Sequence, residues 1–170
     1  DGKTAVLTTD EKIPELEIWN LESQEKVRTI EYGKEGIFGS PTDKEVLLTK
    51  ISPNGEWVVA GKVGVFVWST QTGQRRRFRQ AAADTARTSI SGIQFVPGTS
   101  QFLASWNGRI DLFDIANGSV RRHNIPRLSY SNNESNVVDA KLIQNRIMVL
   151  ARTIANANAD AGIALIDLNA

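Results

Sequence analysis

The chain contains no cysteine and a single histidine, His123. The lack of cysteine excludes disulfide bonds, thiolate metal sites and a cysteine nucleophile. It leaves the compartment open, with the cytoplasm favoured, because a cysteine-free chain suits a reducing cytosol and also an exported protein. No apolar run reaches the roughly 18 residues of a membrane helix, so the sequence predicts neither a membrane span nor a membrane partner.

Charge of one sign is also lacking, since 20 Lys and Arg balance 19 Asp and Glu. A net charge of +1 gives no general attraction to nucleic acid or to a lipid surface. Locally the balance changes. Residues 1–62 carry twelve acids and eight bases, whereas residues 71–127 carry nine arginines, no lysine and three acids. A basic segment therefore lies in the middle of a chain that is long enough, with 41% hydrophobic residues, to bury a core.

A pattern of four short strands recurs along the chain. Its third strand ends at an apolar residue, called here the anchor, which a polar residue follows. The anchors are Trp19, Trp68, Phe113 and Ile166, at spacings of 49, 45 and 53 residues, and the polar residues are Asn20, Ser69, Asp114 and Asp167. Such a period is typical of repeat architectures with one supersecondary unit per repeat.

Glycines mark the predicted hairpin turns, at Asn54-Gly55, Thr72-Gly73, Asn107-Gly108 and Asn117-Gly118. Hairpin turns need positive φ, which glycine adopts without strain. Val, Ile and Phe are frequent and no stretch has helical periodicity, so we expect almost no helix. An ordinary sandwich of hairpins is the alternative, and the recurrence of one four-strand unit argues against it.

The segment "SPNGEWVVAGKVGVFVWSTQTGQ", residues 52–74, resembles a blade of a WD-repeat β-propeller, and "DGKTAV" at residues 1–6 resembles the second half of that family's first turn. The Gly-His dipeptide that opens a typical repeat is absent. With one histidine in the chain, the family's His-Ser-Asp-Trp relay cannot recur in each blade. The resemblance is therefore to divergent WD-like propellers, with the similar YVTN type as the neighbouring possibility.

The resemblance implies an all-β fold, a β-propeller segment of about four blades that are four-stranded antiparallel meanders. We expect one partial propeller domain over residues 1–170, with blades at about 1–32, 44–80, 88–126 and 136–170. The first blade is expected to lack its innermost strand and the last its outermost. Propellers close to hide their sheet edges. The chain is thus expected to be completed by the remaining blades of a larger propeller or to meet other chains.

Connections at one end of such blades vary in length, and variable loops on a rigid scaffold are where binding residues usually lie. The candidates for partner binding there are Phe38, Arg87, Arg127 and Tyr130. Aromatic and arginine side chains dominate interface energies. The alternative is that Phe38 and Tyr130 fold back as local plugs.

A basic rim is predicted on the outer strands. Alternation places Arg75, Arg77 and Arg79 on one strand face, and Arg121 and Arg122 follow one blade later, beside His123. These arginines would bind an acidic partner or nucleic-acid phosphate, or they simply protect strand edges against pairing. We favour edge protection, with His123 as a solvated rim residue.

The loop "TIANANADAG", residues 153–162, contains "NANADAG", residues 156–162, with oxygen-bearing side chains at alternate positions. Only Asp160 is charged there, so this stretch is interpreted as a hairpin tip and not a metal site. No catalytic or cofactor motif is found. We therefore expect a non-catalytic scaffold for protein partners. The alternatives are an enzyme or small-ligand propeller, with a site at a central channel completed by missing blades, and binding of nucleic-acid phosphate along the basic rim. Of these partners, nucleic acid is not the one we expect.

Overall fold

The computed structural model describes residues 2–9, 15–32, 48–61, 64–76, 78, 90, 92–106, 109–124, 135–143, 146–155 and 158–167. In this part of the chain there are fourteen strands and no helix. No described helix is long and apolar enough to cross a bilayer. The strands form antiparallel meanders of three, four, four and three strands, which confirms the all-β class and the partial propeller expected from the sequence.

Consecutive strands pair throughout. The first sheet contains β1 (Thr4–Thr9), β2 (Glu15–Asn20) and β3 (Glu25–Glu31), and the second contains β4 (Leu48–Ile51), β5 (Trp57–Gly61), β6 (Val65–Ser69) and β7 (Arg75–Arg76). The third sheet contains β8 (Gly92–Phe95), β9 (Gln101–Trp106), β10 (Arg109–Asp114) and β11 (Ser119–Asn124). The fourth contains β12 (Ser135–Ile143), β13 (Arg146–Ala155) and β14 (Asn158–Asp167).

The chain divides into two compact units, Asp1–Arg77 and Phe78–Ala170. The first unit holds the first two sheets, and the second unit holds the last two. In the second unit β12 lies against β8 and β9. The organisation of residues 1–170 as one domain, with the blade bounds given above, stays a prediction.

The core of the first unit lies between its two sheets. Alternation along β2 places Leu16 and Ile18 on one face, and both are buried, together with Ile30 of β3. The second sheet covers them with Val58 and Trp68, which belong to the same cluster. Each such side chain contributes about 1.5–3 kcal/mol when fully buried, so this contact holds the two sheets of the unit together.

Four phenylalanines form the aromatic core of the second unit. Phe102 and Phe113 are stacked with ring centroids 4.8 Å apart, and Phe78 meets Phe113 edge to face at 5.2 Å. Phe95 adds a tilted contact with Phe102. Both edge-to-face and offset-stacked pairs suit the aromatic quadrupole and add about 0.5–1.5 kcal/mol each beyond area burial.

In the first three sheets, the polar residue after the anchor caps the turn that follows the third strand of the repeat. Asn20 Oδ1 accepts a hydrogen bond from the Glu22 amide at 2.8 Å. Asp114 Oδ1 accepts one from the Ala116 amide at 2.9 Å. Ser69 Oγ does the same for Thr72 N in the second sheet, at 3.2 Å. Short oxygen-bearing side chains stabilise turns in this way, which explains why the repeat needs a polar residue there.

A backbone hydrogen bond joins the two turns at this end of each of the first three sheets. Leu21 N donates to Lys3 O, Thr70 N to Glu56 O and Ile115 N to Ser100 O, at 2.7, 2.9 and 3.0 Å. The three donors are spaced by 49 and 45 residues, as the anchors are. The repeat is thus a repeat of hydrogen bonds as well as of residue types, and this end of the sheets is called here the turn face.

The hairpin glycines adopt positive φ where the sequence predicted it, at Gly55, Gly73 and Gly118, while Asn107-Gly108 lies outside the described residues. The first sheet has Gln24 at the position of Gly73 and Gly118, four residues after the polar cap, and its φ is 58°. An L-residue with a Cβ is strained in this conformation. Gln24 is therefore a departure that the repeat alignment could have shown.

Residues 153–162 contain the turn of the β13–β14 hairpin, as expected, but the prediction of a long loop there is wrong. β13 continues to Ala155 and β14 starts at Asn158, with Asp160 paired to Thr153 and Gly162 to Ala151. Alanine, asparagine and aspartate have low strand propensity alone, which suggested a loop. Strand propensity depends on context, and here the residues continue a ladder that starts at Arg146.

We predict that Gln24→Gly raises the free energy of unfolding by up to about 1 kcal/mol, because it removes left-handed strain at an exposed position. Gly118→Val, the reciprocal change, should lower it by about 1–3 kcal/mol. Urea titration of both variants checks this. A loss of stability in Gln24→Gly would show that the turn does not need positive φ.

We predict that Asp114 makes the protein less stable as the pH is lowered. Burial raises the pKa of Asp114, but hydrogen bonds from Gln101, Ser100 and the Ala116 amide outweigh burial and hold that pKa below its usual value. A lowered folded-state pKa stabilises the fold above the unfolded-state pKa, and this contribution is lost as pH falls through the folded-state pKa.

The comparison for this prediction is Asp114→Asn, which keeps an acceptor oxygen but does not titrate. Urea titrations at neutral and acidic pH should show that the wild type loses more stability on acidification than Asp114→Asn does. Equal losses in the two proteins would contradict the assignment of Asp114 as an ionised cap.

Candidate interaction surfaces

The predicted partner-binding residues Phe38, Arg87, Arg127 and Tyr130 lie outside the described residues. Two members of the predicted basic rim, Arg77 and Arg79, lie outside them as well. These residues stay predictions. The structure places the other three rim arginines.

Connections at the end opposite the turn face differ from sheet to sheet. The second and third strands of the four-strand repeat, which are β1 and β2 in the first sheet, are separated by residues 10–14, 62–64, 107–108 and 156–157 in the four sheets. Residues 32–47, 77–91 and 125–134 separate one sheet from the next. All four partner-binding candidates belong to the longer connections between sheets, and Arg127 and Tyr130 share one of them. The variation in length that the sequence predicted thus falls at one end of the strands.

A cation from the outer strand contacts the residue two places before the anchor in each of the first three sheets. In the first sheet Lys26 Nζ binds Glu17 Oε1 at 2.8 Å. In the second, the Arg75 guanidinium lies 4.6 Å from the centroid of the Phe66 ring, in cation–π geometry. In the third, Arg122 Nε lies 3.6 Å from Asp111 Oδ1. This recurring contact was not predicted from the sequence.

Two of the predicted rim arginines, Arg75 and Arg122, therefore have partners within their own sheets. The pairing of β10 with β11 places Arg122 directly opposite Asp111. Asp111 is only 4% exposed, so Arg122 contacts a buried carboxylate. This register follows from the turn at residues 115–118, which places Asp114 opposite Ser119. Arg121 lies on the other face of the same strand and is exposed.

Asp111 and Asp114 do not converge, as alternation predicted. Asp111 points to the face that holds Phe113, and Asp114 holds the turn through Ser100 and Gln101. They cannot act as a catalytic carboxylate pair. Among the described residues no group of three His, Asp or Glu side chains is placed to hold a metal ion.

His123 differs from the expected solvated residue. Its side chain is half-buried, and Nε2 is shielded from solvent without a hydrogen-bond partner. The reason is its register, since His123 pairs with Ile110, which is fully buried, and shares the face of that residue. His123 is therefore partly a packing residue of the third sheet.

The first sheet carries a polar clamp on the face opposite its buried one. The Trp19 indole N–H donates to Glu17 Oε2 at 3.0 Å while Lys26 binds the other carboxylate oxygen. The hydrogen bond from Lys26, and secondarily that from Trp19, lower the pKa of Glu17. The indole N–H thus has its acceptor, and both carboxylate oxygens of Glu17 have donors, within the first sheet.

Comparison with known proteins gives a fold and no family. No family model matches the chain. No curated protein matches it. Solved structures do. A hydrazine synthase chain of Kuenenia stuttgartiensis aligns with TM-score 0.66 and 16% identity, over 98% of this chain and 48% of that one.

Two further solved structures show the same likeness. A chain of the mitotic checkpoint complex aligns with TM-score 0.55 and 11% identity, over 98% of this chain and 46% of that one. A chain of a eukaryotic initiation factor aligns with TM-score 0.57 and 15% identity, over 99% and 39%. At such identities the likeness shows the fold alone. The chain spans less than half the length of each of these three chains.

We predict that Arg122→Met lowers the free energy of unfolding by about 1–3 kcal/mol, because it removes the cation beside the buried Asp111 carboxylate. Arg121→Met, the matched change at an exposed arginine on the other face of the same strand, should change it by less than about 0.5 kcal/mol. Urea titration of both variants measures the difference. Equal effects would show that the Asp111 contact is not structural.

Proposed function

We propose that this chain is part of a WD-like β-propeller that acts as a non-catalytic scaffold and binds a protein partner through the connections opposite the turn face. The observation that carries the proposal is the contrast between the two ends of the sheets. At the turn face, three sheets repeat the same cap and the same backbone hydrogen bond. At the other end the connections differ in length from sheet to sheet.

In a binding module, the regular turn face and the variable opposite end of the sheets have different roles. The regular end fixes the strands, because its hydrogen bonds are closed within each sheet. The variable end carries Phe38 and Tyr130 among polar and glycine residues, and rigid aromatic side chains are effective interface anchors. The likeness to a chain of the mitotic checkpoint complex supports a role in protein assembly.

The WD-like assignment rests on the resemblance of residues 52–74 and gains support from their contacts. Ser52 Oγ accepts a hydrogen bond from Trp57 N at 2.9 Å, and Thr70 Oγ1 donates to Gly55 O at 2.6 Å. The "SPNG" turn and the "ST" after the third strand therefore stabilise each other. This gives a structural role to the residues that carry the resemblance.

The test compares the wild-type chain with a Phe38→Ser, Tyr130→Ser double variant in affinity capture followed by quantitative mass spectrometry. We expect the wild type to enrich a defined set of proteins and the double variant to lose them, with an unchanged thermal unfolding temperature. Val27→Ser, a change at an exposed apolar residue of β3, is the control and should retain the set.

Two results would contradict the proposal. Retention of the same proteins by the double variant would exclude these residues as the binding site. A large fall in the unfolding temperature of the double variant would show that Phe38 and Tyr130 are plugs of the fold.

A further inference from the structure

An arginine of the first sheet reaches the second sheet at the turn face. Arg28 lies in β3, and its Nη2 donates a hydrogen bond to the backbone carbonyl oxygen of Gln71 at 2.6 Å. Gln71 belongs to the turn between β6 and β7, and both sheets belong to the same compact unit. The bond therefore joins the outer strand of one sheet to a turn of its neighbour.

The direction of Arg28 follows from its register. Pairing places an arginine opposite the residue before the anchor in each of the first three sheets, and these arginines are Arg28, Arg76 and Arg121. In the first sheet the residue before the anchor is Ile18, which is buried in the cluster that includes Trp68 of the second sheet. Arg28 shares the face of Ile18 and is therefore directed to the second sheet.

The stem of the Arg28 side chain lies against Gly73, in the same turn as Gln71. A Cβ atom at position 73 would come within 3.1 Å of Arg28 Cδ and 3.4 Å of Arg28 Nη1. Carbon atoms in favourable contact are about 3.5–4.0 Å apart, so a side chain at this position would crowd the arginine. Arg28 Nε is shielded from solvent here. Glycine thus allows the arginine to lie close to the backbone of the turn.

The conformation of the turn does not by itself require glycine. Gly73 has a φ of 71°, and Gln24 has a φ of 58° at the equivalent turn position of the first sheet. Gln24 is exposed, so its side chain extends into solvent. The same turn therefore accepts a side chain in the first sheet, and a second reason for glycine exists in the second sheet.

We propose that Arg28 fixes the β6–β7 turn of the second sheet to the first sheet, and that this contact requires glycine at position 73. A hydrogen bond from a charged guanidinium is stronger than one between neutral groups. The side chain is held by β3 at one end and by the Gln71 carbonyl at the other. It cannot move away from a Cβ atom at position 73 without lengthening this bond.

The contact adds a level of organisation to the turn face. The caps and backbone hydrogen bonds described above are closed within each sheet, whereas the Arg28 bond joins two sheets. It is a structural device of the first unit, and it does not depend on the partner binding proposed for the variable connections.

Hydrogen exchange tests whether Arg28 holds the turn. Within the turn, Gly73 N donates to Ser69 O at 2.8 Å and Ser69 N donates to Gln74 O at 3.0 Å. Arg28→Met keeps an unbranched stem and removes the guanidinium, so we expect these amides to exchange about three to ten times faster. Amides of β5 should keep their wild-type rates.

The matched control for this experiment is Arg121→Met. It changes the arginine at the equivalent register position of the third sheet. The amides of residues 69–74 should exchange in this variant as they do in the wild type.

A double-mutant cycle tests the requirement for glycine. Gly73→Ala should lower the urea midpoint of unfolding less in an Arg28→Thr background than in the wild type, because threonine lacks the Cδ atom that the new Cβ would meet. We expect the two shifts to differ by at least about 0.3 M. Gly118→Ala, at the equivalent turn position of the third sheet with a φ of 73°, should shift the midpoint equally in both backgrounds.

Two results would overturn the proposal. Unchanged exchange of the turn amides in Arg28→Met would show that Arg28 does not hold the turn. Equal shifts of the midpoint by Gly73→Ala in the two backgrounds would show that glycine at position 73 serves the turn conformation alone.

Discussion

The burial of Trp68 against Leu16, Ile18 and Ile30 is the contact on which the first unit depends. A three- or four-stranded sheet cannot cover both of its faces by itself, so each must use a neighbour. In the second unit, aromatic rings around Phe102 and Phe113 have the same task. In the first unit, one sheet supplies the face that buries the anchor of the other.

The arginines of the middle segment acquire a different meaning in the structure. Arg75 covers an aromatic ring and Arg122 meets a buried carboxylate, so two of the cations that suggested a phosphate-binding rim stabilise their own sheets. Lys26 in the first sheet has the same relation to Glu17. The equivalent position thus holds an ion pair in the first and third sheets and a cation–π contact in the second, so the placement of the contact repeats while its chemistry differs.

Much of the fold could be predicted from residues alone. The anchors, the polar caps and the hairpin glycines identified the strands and the number of sheets, since turn conformation and strand alternation are local properties. The loop expected at residues 153–162 was wrong because ladder extension depends on the partner strand and not on local propensity. His123 was predicted to be solvated, but it is half-buried because it pairs with the buried Ile110 on the neighbouring strand.

The sequence by itself determined where strands turn and which residues alternate, because φ and side-chain direction are set within a few residues of the chain. Only the tertiary structure decided which alternating face is buried and which is exposed. Trp19 and Trp68 occupy equivalent positions in the sequence, yet Trp68 is buried under a neighbouring sheet, whereas Trp19 is only half-buried and donates its indole N–H to Glu17. Burial depends on what packs against a face, and that is a property of the whole assembly of sheets.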